Sequence, residues 1–83
     1  MKLEAQQRIW YSKPAYYIIT IVSEIPPDVI GILSNFYSGN FEIKIQNKNT
    51  ILEGLIKDQT ALCGLLSYLS DLHYILLSVN TQE

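Results

Sequence analysis

The sequence predicts an α+β sandwich in which a four-stranded antiparallel sheet carries two helices on one face. Three observations predict it. Residues 16–22 are aromatic or β-branched throughout, residues 41–46 alternate cleanly between apolar and polar, and two segments of helical period separate the strand-like ones. Length and composition agree: 83 residues with 48% apolar and 17% charged side chains suit one small core and are the reverse of a disordered composition.

The chain divides into an N-terminal arm, residues 1–14, and a single α+β domain, residues 15–83. The arm lacks a firm period and ends at Pro14, which holds Lys13 extended. Lys2, Arg8 and Lys13 against Glu4 give it a charge of +2, while the remaining residues sum to −4, for the net −2 of the whole chain. A mildly basic arm on an acidic body suits docking onto a neighbour; a solvated terminus is the plainer reading.

The first strand, Tyr16 to Val22, is apolar on both alternating faces, the mark of a central strand covered on both sides. Pro26-Pro27-Asp28 ends it and opens a helix, since proline fits the first turn and an acidic residue complements the helix N-terminus. Val29, Ile32, Leu33 and Phe36 give that helix one apolar stripe, and Ser38-Gly39-Asn40 closes it as a turn. Phe41 to Gln46 is a strand with Phe41, Ile43 and Ile45 on its buried face. Asn47-Lys48-Asn49 tolerates left-handed turn conformations, and Thr50 to Lys57 returns as a hairpin strand with Leu52, Gly54 and Ile56 on one side. Asp58 is an N-cap for the second helix, where Leu62, Leu65, Leu66, Leu69 and Leu72 keep a 3.6-residue period. Gly64 costs that helix about 1 kcal/mol relative to Ala, which suggests a close approach to the sheet. Ile75 to Val79 is the last strand, and residues 80–83 fray. Two β-α-β halves joined through a hairpin describe the ferredoxin-like βαββαβ split sandwich, with strand order 4-1-3-2.

Between Leu52 and Leu66 the chain resembles a group of small, uncharacterised bacterial proteins whose C-terminal half reads Leu-Thr-Gly, a short variable stretch, then Asp-Gln-Ala-Ala-Leu-His-Gly-Leu-Leu. Asp58, Gln59, Leu62, Gly64, Leu65 and Leu66 match in register, and Leu76-Leu77-Ser78-Val79 follows as in the group. The group's usual His is Cys63 here. The resemblance implies a cytoplasmic, bacterial-type protein and implies no activity.

No segment carries a catalytic or cofactor signature, so the sequence does not declare a biochemical role. Cys63 and His73 are the only thiol and imidazole, and ten residues of helix between them is about 15 Å, beyond hydrogen-bond reach. Cys63 reads as a small packing residue and His73 as a helix-end residue. Two such ligands are too few for a structural zinc, and the four glycines form no phosphate-binding loop. The expectation is a non-enzyme with no cofactor and no metal. A net acidic chain, with no aromatic on the Thr50 to Lys57 strand, argues against nucleic acid. The lone cysteine suits a reducing cytoplasm, and no apolar run approaches a membrane span.

The sheet topology points to one surface. Tyr17, Ile19, Ile21, Phe41, Ile43, Ile45, Leu52, Ile56, Leu77 and Val79 are expected to face the helices. That leaves Tyr16, Ile18, Thr20, Val22, Ile51, Glu53, Leu55 and Leu76 on the opposite face, an apolar patch larger than a monomer ordinarily leaves wet. The expected role is an interaction or regulatory module, a homodimer or an accessory subunit, with Tyr16, Ile18, Val22, Ile51, Leu55 and Leu76 in the interface beside Trp10 and Tyr11 of the arm. Leu3, Ile9, Trp10 and Tyr11 folding back over the patch in the same chain is the competing arrangement. A small-ligand sensor, with an apolar pocket between subunits or beneath the arm, is the alternative role.

Overall fold

The computed structural model describes residues 14–82, so the arm residues Trp10 and Tyr11 lie outside the described part. The elements run β1 (Ala15–Val22), α1 (Pro27–Leu33), a 3-10 turn (Ser34–Phe36), β2 (Tyr37–Gln46), β3 (Asn49–Ile56), α2 (Gln59–Asp71) and β4 (Ile75–Gln82). The sheet order is β2-β3-β1-β4 with each neighbouring pair antiparallel, which is the ferredoxin-like arrangement.

Strand β1 is central, as its two apolar faces require. Tyr17, Ile19 and Ile21 are buried with Leu52 and Ile56 of β3, and α1 and α2 close over them with Leu33, Leu62, Leu65 and Leu69. The first helix starts at Pro27 with Asp28 in its first turn. The second is capped by Asp58, whose Oδ1 accepts a hydrogen bond from the Ala61 N–H at 2.8 Å. It ends when His73 takes φ 69°: the His73 N–H donates to the Ser70 carbonyl and the Tyr74 N–H to that of Leu69. These are the two backbone bonds of a Schellman stop, made with His where Gly is usual. Asn47 and Lys48, at φ 55° and 65°, form a two-residue hairpin turn of the mirror-image type whose twist suits the flanking strands.

Several expectations are corrected. The Ser38-Gly39-Asn40 stretch is no turn between elements but a bulge within β2, which begins at Tyr37 opposite Ile56 and resumes regular pairing at Phe41 opposite Gly54. In α1 the inward side is formed by Val29, Ile30 and Leu33, while Ile32 is exposed, and the chain tightens into the 3-10 turn after Leu33. Leu72, past the end of α2, is exposed too. Ile43 and Ile45 lie on the helix side, opposite Leu52 and Thr50, yet remain exposed. Seven residues of α1 reach only about 10 Å, a third of ten-residue β2, and leave this outer margin uncovered. Gly64 makes room for the turn rather than the sheet: a Cβ there would sit 2.9 Å from Phe36 Cε1. Strand β4 also runs past Val79, to Gln82, instead of fraying.

The largest correction concerns β4. Thr20 pairs with Ser78 but Ile21 pairs with Leu76, so Leu77 is an extra residue. The bulge inverts the alternation on its N-terminal side. Leu76 turns toward the helices and packs on the core, Leu77 is exposed, and Ile75 joins the face opposite the helices across from Val22.

Candidate functional site

The helix-free face is built by β1 and β3. Their register sets Tyr16 opposite Leu55, Ile18 opposite Glu53 and Thr20 opposite Ile51, with Val22 opposite Asn49 at the end. Side chains paired across antiparallel strands share a face, so Tyr16, Ile18, Val22, Ile51 and Leu55 form one apolar surface. All but Leu55, which is exposed, are half-buried, whereas Ile19, Ile21, Leu52 and Ile56 on the helix side are fully buried. Of the six expected interface residues described, five lie together here. Leu76 does not, because of the bulge, and Ile75 takes the corresponding position. Nothing in the run Ile75-Leu76-Leu77 signals this, since every member is apolar.

The two flanks differ. On the β4 side Ser78 and Asn80 stand opposite Thr20 and Ile18, giving a neutral polar border. On the β2 side Glu42 is directly opposite Glu53, a like-charge pair, and Lys44 resolves it by reaching Glu53 Oε2 at 3.1 Å. The hydrogen bond to Glu53, followed by that residue's charge, holds the Lys44 ammonium above its ordinary pKa.

Beneath the sheet, Tyr37 and Phe41 stack at 4.2 Å with their planes 7° apart, over Gly54. A Cβ on Gly54 would meet Phe41 Cβ at 2.6 Å and the Tyr37 ring at 2.8 Å, so this glycine is what admits the stack. The Tyr37 hydroxyl is buried without a hydrogen-bond partner among the described residues, and burial first, then the nearby Tyr16 hydroxyl, pushes its pKa well above 10.

Cys63 is exposed on α2, not a packing residue; its Sγ accepts a long hydrogen bond, 3.9 Å, from Gln59 Nε2. His73 stands at the far end of that helix and ends it through its backbone N–H. Among the described residues, no three His, Cys, Asp or Glu side chains gather as a metal would require, and no helix is long and apolar enough to cross a membrane.

A family model described as a domain of unknown function, DUF8691, matches residues 17–80, more than three-quarters of the chain. The chain belongs to the DUF8691 family. The matched span opens inside β1 and closes inside β4, so the DUF8691 domain takes in both helices, the hairpin and nearly the whole sheet. It includes the 52–66 stretch and every residue of the apolar face except Tyr16. No curated protein and no solved structure matches the chain.

Proposed function

We propose that this protein is a non-catalytic interaction module that associates with a second copy of itself, sheet against sheet, through the face formed by Tyr16, Ile18, Val22, Ile51 and Leu55. The observation that supports the reading is the asymmetry of the sheet: helices cover the core of one side, while the other sets Tyr16, Ile18, Val22, Ile51 and Leu55 around the Lys44-paired Glu53, between a neutral β4 margin and a charged β2 margin. Two such faces stack readily, apolar centre on apolar centre, in the aligned packing of sandwiches. The flank bearing Glu42, Lys44 and Glu53 carries both signs, so it presents no single-sign field to a copy of itself.

Magnitudes decide the strength. Burying what these half-exposed side chains still show gains about 1 kcal/mol each, roughly 10 kcal/mol over two faces. Association costs about 4–15 kcal/mol. The balance describes a reversible pair that tracks concentration. Light scattering on the wild type and on Val22→Glu tests it: the wild-type mass should rise with concentration from that of one 9.5 kDa chain, and the variant's should rise less. Identical behaviour of the two proteins would remove the face from consideration.

A further inference from the structure

The two margins of the sheet are unlike. Strand β2 is guarded: Glu42 and Lys44 place both charges on it, and the bulge over residues 38–40, with Gly39 at φ 95°, breaks its regular pairing. Strand β4 carries much weaker protection. Ile75 to Gln82 holds no charged residue and no proline, and Ile75, Leu77 and Val79 are 65%, 58% and 38% exposed. Past the extra residue at Leu77, Ser78 to Gln82 pairs without interruption with β1. Among the described residues β4 lies at the margin of the sheet, so alternate backbone N–H and C=O groups of this stretch point away from β1.

We propose that β4 is a seam between two copies of this chain: the Ser78–Gln82 stretches of two protomers pair antiparallel about a two-fold axis and join two four-stranded sheets into one of eight. Charge selects a second copy as the occupant. When a strand pairs with itself, every charge it carries is brought back to the same axis, and β4 has none to repel. In a pairing centred on Asn80, Val79 of one protomer meets Thr81 of the other, a β-branched pair of the kind that stabilises sheets. The seam uses margin backbone and is independent of the face proposed above, which uses β1 and β3 side chains.

Charge reversal across the seam tests it on the full chain, with circular dichroism as the check on folding. At about 1 mM the wild type should reach at least a dimer mass of about 19 kDa, twice the 9.5 kDa chain. The double variants V79K/T81K and V79E/T81E should each lose half of the wild-type mass, and a mixture of the two should regain it through a mixed pair. Those amides of residues 78–82 that point away from β1 should exchange slowly in the wild type and fast in either double variant alone, while the alternate amides bonded to β1 and those of β3 stay unchanged. A conservative Val79→Thr variant, which keeps the margin uncharged and covers the case of a misfolded double variant, should retain the wild-type mass and protection. A wild type that is monomeric at about 1 mM overturns the seam. So does an assembly that both charged variants leave intact, and if Val22→Glu dissociates that assembly, the face reading survives alone.

Discussion

Thr50 is the one fully buried polar side chain in the described core, and it is fully used. Its Oγ1 donates to the Ser23 carbonyl at 2.8 Å and accepts from the Ile25 N–H at 3.1 Å, while the Ser23 N–H reaches Asn49 Oδ1. These bonds pin the chain as it leaves β1, where Ser23 sits at φ 97°. Thr50→Val keeps the shape and leaves the buried Ile25 N–H and the part-buried Ser23 carbonyl without this partner; the expected cost is about 1–3 kcal/mol in urea denaturation, with Thr50→Ser restoring most of it. Tyr37 is the opposite case, a buried hydroxyl without a partner among the described residues. Because its folded pKa is raised, its contribution to stability is complete below the ordinary value of 10 and is lost as pH rises above it, where the unfolded chain sheds the proton first. Tyr37→Phe should therefore be neutral or stabilising by roughly 1 kcal/mol at pH 7. It should also flatten the alkaline loss of stability, measured by denaturation across pH 9 to 12. Neither role is legible in the sequence, because the Thr50 partners lie 25 and 27 residues away and the burial of the Tyr37 hydroxyl depends on the tertiary packing.

The elements themselves were largely readable, and the reasons are local. The β-branched run at 16–22 has no helical alternative of comparable fit, and Asp58 followed by leucines at helical spacing marks both the start and the buried side of α2. Reading failed where an irregularity inverts a pattern without leaving a signal. Ser38-Gly39-Asn40 has the composition of a turn and sits inside a strand, and three adjacent apolar residues at 75–77 leave the direction of Leu76 open to either face. The left-handed turn expected at Asn47-Lys48-Asn49 falls on Asn47 and Lys48, and Lys48 holds a positive φ for which glycine is the natural occupant. Lys48→Gly should raise stability by about 0.5–1 kcal/mol, read as an upward shift of the urea midpoint at constant slope.

At the scale of the molecule, the division between a sealed and an open sheet face was legible, because strand alternation fixes it once the topology is known. What the open face does for stability has its own signature. Val22 ends β1 on that face and is half-buried, so Val22→Glu should leave the melting temperature at low protein concentration within a few degrees of wild type. Any rise of melting temperature with concentration belongs to association and should vanish in the variant if the face is the route.

The strand order also bears on how the protein is made. Among the described strands β1 leaves the ribosome first, yet its two neighbours are β3 and β4, from the C-terminal half. The nascent chain must therefore carry its oiliest strand without a ladder on either side until Ile56 and then Gln82 have been added. Slow translation or a stall between those two points would expose that strand for longest, and a chaperone that shields short apolar segments would have its natural target at residues 16–22.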